Sequence, residues 1–398
     1  MKPFLTRIAA ASAALLGGML VSGCGGGATA DTTPAISINS VKIFGDSLQD
    51  SGTFGFKFTV QAASNPIYVE RVAANYGQTL CNYFAATGET TFVPNTTKTG
   101  CTNYAIGGSR ITSTSVAPTN PLNIGTQMST FAATGSFTAN DLVIIDGGGN
   151  DAADLVGAYL KARTDSGATY SALLGTLLTP AQISAALTGG AQTTAAIGGT
   201  YMTALADKFY ASIKTNVLDK GATHVVLMNI PDITFTPRLQ MVLASVASAT
   251  AAAAKAAGAT DEAAAAAGKK ASADSQALFQ GWVSAFNTQI ASKLAGNDGV
   301  IVVDFYKGLQ DQVATPEQFG LTDAKTPACP ATGTDPSTGL PTYTFPTCTE
   351  TALAATAGKT STDWWKSYGF ADSFHPTPYG HQLTQQLIAK SLATKGWL

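Results

Sequence analysis

Val41-Lys42-Ile43-Phe44-Gly45-Asp46-Ser47-Leu48 is the stretch that decides how this chain reads. The apolar run Val41 to Phe44, rich in β-branched residues, has the pattern of a buried strand, and Gly45-Asp46 ends it with turn-forming residues. Ser47 therefore falls where a strand stops, a position that holds a hydroxyl on rigid backbone and leaves it reachable. A serine is a weak nucleophile until a base takes its proton. The sequence has three histidines, His224, His375 and His381, and His375 stands in Asp372-Ser373-Phe374-His375. On a tight turn that spacing lets the carboxylate accept from one ring nitrogen while the other faces the serine. Ser47, His375 and Asp372 are thus the expected nucleophile, base and orienting acid.

Two glycine-containing segments supply what such chemistry needs next. Attack on an ester carbonyl puts negative charge on its oxygen, and each fixed donor aimed there is worth about 3 kcal/mol when judged by deletion. Glycine allows the close backbone approach such a donor needs. Gly108 ends Asn103-Tyr104-Ala105-Ile106-Gly107-Gly108, and Asn150 lies in Gly148-Gly149-Asn150-Asp151 after the strand-like run Leu142-Val143-Ile144-Ile145. The Ser47 and Gly108 amides and the Asn150 side chain are the expected oxyanion donors.

These segments, in this order, resemble the GDSL, or SGNH, hydrolase family. Gly45-Asp46-Ser47-Leu48 followed by Asp50-Ser51-Gly52 is similar to its first block, Asn103 to Gly108 to its second, Gly148 to Asp151 to its third, and Asp372 to His375 to its last. Val225-Val226-Leu227-Met228-Asn229-Ile230-Pro231 resembles its connecting strand, so the likeness covers roughly residues 41 to 398. It implies a three-layer α/β/α, flavodoxin-like fold with a mostly parallel sheet. It also implies hydrolysis of carboxylic esters through an acyl-enzyme, as in esterases and lipases, with no cofactor or metal. A phospholipase, an acyltransferase or a polysaccharide deacetylase would use the same residues. A non-catalytic, ligand-binding envelope lipoprotein is the alternative of another class, and it places no demand on the intact set of five residues.

The same residues carry competing readings. Gly147-Gly148-Gly149-Asn150-Asp151-Ala152 fits a dinucleotide-binding pattern, but that pattern expects an acidic residue about 20 positions on at the end of a second strand, and no clear strand stands there. The absence of Gly-x-Ser-x-Gly around Ser47 argues against the α/β-hydrolase fold. His224 reads as a packed strand-end residue, and His381 as structural, with an orienting or substrate-side role as its alternative. Asp46, Asp50 and Asp151 read as acceptors for turn or helix N-terminal amides. No Cys-x-x-Cys or His-Glu-x-x-His occurs to suggest a metal.

Residues 1–23 concern address. Lys2 and Arg7 precede an apolar stretch from Ile8 to Val21, closed by Val21-Ser22-Gly23-Cys24. This resembles a bacterial lipoprotein signal with Cys24 as the lipidated residue, residues 24–40 as a flexible tether, and Gly25 favouring the outer membrane. The expected membrane contact is that N-terminal anchor, and a secreted form is the alternative. Four further cysteines suggest two disulfides in an exported chain, and the local pairs Cys81 with Cys101 and Cys329 with Cys348 are the expected choice among three connectivities. Loops of about twenty residues would each gain roughly 3 kcal/mol in the chain-entropy description.

The whole sequence has 398 residues, 45% hydrophobic and 12% charged, with a net charge of −2. Such a chain can bury a large core, and it has no basic footprint for nucleic acid; the ester or lipid partner is what the family resemblance implies. Strands near Val41–Phe44, Leu142–Asp146, Val225–Asn229 and Val300–Asp304 are separated by helical stretches, which predicts parallel strands in one domain over 41–398. Residues 152–200, 239–294 and 325–348 read as insertions. In the second, Leu278, Phe279, Trp282, Val283 and Phe286 recur at helical spacing and predict a buried face; for both of the first two insertions the readings are scaffold or, functionally, a lid or acyl-binding wall.

Overall fold

Four parallel strands, Ser40–Phe44, Asp141–Ile145, Val225–Met228 and Val300–Val303, lie side by side in that order. The computed structural model describes residue 34 and residues 36–398, and Pro34–Leu398 forms one compact unit. The proposed signal and Cys24 lie outside the described residues.

Apart from Ser40 and the paired Lys42 and Asp141, the strands are apolar because both faces of the sheet are covered. Phe44, Val143, Ile145, Val225 and Leu227 pack into one core, with Tyr201, Leu205 and Phe209 of helix Ala191–Asn216 and Phe279, Trp282 and Phe286 of helix Asp261–Leu294. The alternate residues Val41, Ile43, Leu142, Ile144, Val226 and Met228 face a second core, with Val69 and Val72 of helix Tyr68–Asn75 and Ile388 and Leu392 of helix Pro378–Thr394. The period of two along each strand thus divides its side chains between two helical layers, giving the three-layer α/β/α sandwich.

A fifth, irregular edge completes the sheet. The Ile43 amide donates to the Thr102 carbonyl at 3.0 Å, the Tyr104 amide to Ile43 at 2.9 Å and the Ile106 amide to Gly45 at 3.2 Å. Residues 102–106 therefore flank the first strand on the side away from Asp141–Ile145. The chain leaves the first strand toward neighbours on opposite sides, which opens a crevice at the carboxyl ends of the strands, where doubly wound sheets place their ligands. Ser47 sits at that point.

The insertions take definite forms. Helix Pro237–Ala256 and helix Asp261–Leu294 run back along each other, with Thr236 and Thr260 capping their N-termini. Alanine gives Pro237–Ala256 both its helical propensity and a mean hydropathy of 1.3 over its most apolar window, high enough for a membrane span by composition alone. Trp282 lies flat on helix Ala191–Asn216 because residue 198 is glycine: a Cβ there would stand 2.3 Å from the indole. The Trp282 Nε1 donates to the Ala195 carbonyl at 3.0 Å. The disulfides pair Cys81 with Cys101 and Cys329 with Cys348. The second secures the loop after strand Asp323–Pro327, whose partner strand Tyr368–Phe370 leads directly to Asp372.

Candidate active site

The turn after the first strand is held by its own side chains. Asp46 Oδ1 accepts from the Leu48 amide at 3.0 Å, and Asp50 accepts from the Gly52, Thr53 and Gly107 amides at 2.9, 2.7 and 2.8 Å. Ser47 is thereby fixed with its Oγ 2.8 Å from His375 Nε2. His375 Nδ1 is 2.8 Å from Asp372 Oδ2, while Asp372 Oδ1 accepts from the Phe374 and His375 amides at 2.7 and 2.6 Å. The Asp372–His375 turn is closed by the Ala371 amide donating to the His375 carbonyl at 2.8 Å. Burial pushes the Asp372 carboxyl up, but the adjacent His375 and the two amides outweigh it and hold Asp372 below the usual carboxylate range.

Aromatic rings enclose this imidazole. Phe58, Phe345 and Phe374 have centroids 5.2, 5.4 and 5.9 Å from that of His375. Phe345 belongs to the loop secured by Cys329–Cys348 and packs in one apolar cluster with that cystine. Phe58 also covers Gly107, where a Cβ would stand 2.2 Å from its ring. The imidazole therefore has an apolar wall on one side, where water competes less for its hydrogen bonds.

Gly108 has φ +79°, a left-handed backbone that glycine adopts without strain. Neither its amide nor that of Ser47 donates to an acceptor among the described residues, although Gly107 and Ser109 on either side of Gly108 both do. Asn150, on the first turn of helix Gly149–Lys161, donates through Nδ2 to the Ser109 carbonyl at 3.0 Å, which fixes the amide and leaves it a second N–H. Asp151 accepts from the Ile111 and Thr112 amides at 3.0 and 2.9 Å, so it holds turn amides as its type suggested. Its burial raises the carboxyl to about 7.

Gln127 did not emerge from the sequence. Fully buried in helix Ile124–Ala132, it accepts from the Gly45 amide at 2.9 Å and donates to the Gly45 carbonyl at 3.0 Å and the Ser109 hydroxyl at 2.9 Å. One side chain thus ties the serine turn to the Gly108 turn. Arg110 and Asp154 were also missed, although Asp154 stands four residues after Asn150, on the same helical face.

The other histidines lie elsewhere. His224 precedes the third strand, at the sheet end opposite Ser47, and packs edge-on against Trp397 at 4.8 Å. His381 is fully buried, with Nδ1 accepting from the Tyr68 amide at 3.4 Å. Burial, then the nearby His375, Arg71 and Lys57, lower it to about 3 from 6.5. Between these values the unfolded chain binds a proton the folded one refuses. Stability from His381 is therefore lost as pH falls through that window, by roughly 1.4 kcal/mol per pH unit. Burial raises Asp46, Asp146 and Asp151, which gives the opposite slope, so the measurement must be a difference. Between pH 7 and 4, wild type should lose melting temperature faster than His381→Gln; parallel curves would refute this.

A cavity of about 50 Å³ opens beside Ser47, walled by apolar residues that include Ile233, Leu309, Leu321, Ala324, Phe370 and Phe374. None of its lining comes from residues 152–200 or 239–294. The helices read as an acyl-binding wall do not form the wall of this cavity. Just before the second insertion, the Arg238 amide donates to the Ser373 carbonyl at 2.8 Å and braces the histidine turn.

A doubly wound sheet with a serine, an imidazole and a carboxylate in line at its switch point is an arrangement suited to attack on an acyl ester. Residues 41–388 match the GDSL-like Lipase/Acylhydrolase family, and the chain belongs to it. No curated protein matches the sequence.

Proposed function

We propose that this protein is a serine carboxylester hydrolase with Ser47 as nucleophile, His375 as general base and acid, and Asp372 as orienting carboxylate. The reading rests above all on the unbroken line from Ser47 Oγ to His375 Nε2, and from Nδ1 to Asp372, at 2.8 Å each. His375 takes the Ser47 proton as Oγ attacks the ester carbonyl. The Ser47 and Gly108 amides and the free N–H of Asn150 receive the oxyanion. His375 then protonates the leaving alcohol, and water repeats the sequence on the acyl-enzyme. A fluorophosphonate should modify Ser47 alone in the folded protein; labelling elsewhere, or none, would favour the binding-protein alternative.

The cavity supports a short acyl group. By the same measure one water needs about 10–15 Å³, so the space beside Ser47 holds about four small groups. Short-chain esters are the expected substrates, and Ala324→Leu should depress butyrate hydrolysis more than acetate hydrolysis. A maximum at palmitate would sink this assignment.

A further inference from the structure

Two adjacent glycines make a poor donor on their own. Gly107-Gly108 has no Cβ to restrict φ and ψ, so the direction of the Gly108 N–H must be set from outside. One side is held by Asp50, which accepts from the Gly107 amide at 2.8 Å. On the other side Arg110 Nη1 donates to the Gly108 carbonyl at 2.6 Å. Arg110 is itself gripped at both edges. Its Nη2 donates to Asp154 Oδ1 at 3.0 Å, and its Nε donates to Asp154 Oδ2. Its backbone is fixed too, with its amide on the Leu122 carbonyl and its carbonyl taken by the Ile124 amide, both at 2.9 Å.

Asp154 stands one helical turn after Asn150 on helix Gly149–Lys161. The Arg110–Asp154 pair therefore joins the turn carrying the Gly108 amide to the helix carrying the Asn150 side chain. Asn150 itself reaches back to the Ser109 carbonyl, and Asp151 to the Ile111 and Thr112 amides. These contacts fix the spacing between two donors that must converge on one oxygen. We propose that the Arg110–Asp154 pair is a positioning device that sets the geometry of the oxyanion hole, an inference that rests on the assignment of Gly108 and Asn150 as donors.

The pair is partly exposed, so as a surface ion pair it contributes little to stability; its effect lies in orientation. Lysine at 110 would keep the positive charge but lose the planar fork that serves Asp154 and Gly108 together. That separates positioning from simple charge. In Arg110→Lys, kcat on p-nitrophenyl butyrate should fall about tenfold or more with KM changed less than about twofold, the mark of an interaction made only in the transition state. Affinity for a boronic acid that mimics the tetrahedral species should fall in step with kcat. Asp154→Asn, closely isosteric and milder, should show the same split to a lesser degree, and it serves if the lysine variant unfolds.

Folded Arg110→Lys or Asp154→Asn protein with wild-type kcat, or with a loss confined to melting temperature, would overturn the inference. So would full activity in the lysine variant combined with loss in Asp154→Asn, since charge alone would then suffice. If hydrolysis survives Ser47→Ala, the underlying reading of the site fails instead, so the two failures are distinguishable.

Discussion

Ser47→Ala is expected to lower kcat on p-nitrophenyl butyrate by about 10⁴-fold or more while the protein folds normally. Alanine removes the hydroxyl placed 2.8 Å from His375 Nε2 and leaves the imidazole and its carboxylate intact. The side chain is small and at the end of a strand, so little packing is lost. Far-ultraviolet circular dichroism and melting temperature should stay near wild type. Water activated by His375 in the emptied space is the one route to residual turnover, and it lacks a covalent intermediate. A folded Ser47→Ala protein that keeps more than about one per cent of activity would remove the nucleophile assignment.

Asp372→Asn should cost about 10⁴-fold in kcat, with KM nearly unchanged, and the structure explains why so conservative a change is so damaging. Asp372 uses one oxygen for the Phe374 and His375 amides and the other for His375 Nδ1. An asparagine must keep its single oxygen toward the two amides, so its NH₂ group turns to the imidazole. That donor stabilises the tautomer with hydrogen on Nε2, which cannot take a proton from Ser47. Steady-state kinetics on the same ester measure the loss. A decline of less than about tenfold would mean that the carboxylate only anchors the turn.

Much of this arrangement could be read from the sequence, for identifiable reasons. A sheet strand covered on both faces appears as an uninterrupted apolar run, as in Val225-Val226-Leu227-Met228. Ser47 and His375 stand out because a turn after a strand and an Asp three residues before a scarce histidine are both local signals. The helical face carrying Phe279, Trp282 and Phe286 was legible through its spacing even inside an alanine-rich stretch. Residues 102–106 were harder, since their pairing with the first strand is a short irregular bridge around Asn103, whose side chain instead serves the Gln49 carbonyl and Ser51. Gln127, Arg110 and Asp154 left no local pattern at all. Each is a single polar residue whose meaning comes from partners 82 or 44 positions away. The cavity was equally hidden, because its walls are gathered from many separate segments.

The hydroxyl and the imidazole that meet at 2.8 Å are separated by 328 residues of chain. Contacts of such high order are entropically expensive to form early, because the intervening loop must close before they return any energy. A nascent polypeptide emerging from the ribosome carries the serine long before its proton acceptor exists. On the proposed assignment, turnover therefore requires the chain to be made at least as far as His375 and the last layer to close, with Ile388 and Leu392 of helix Pro378–Thr394 packed into the second core. Chains that stop before His375 are expected to show no turnover.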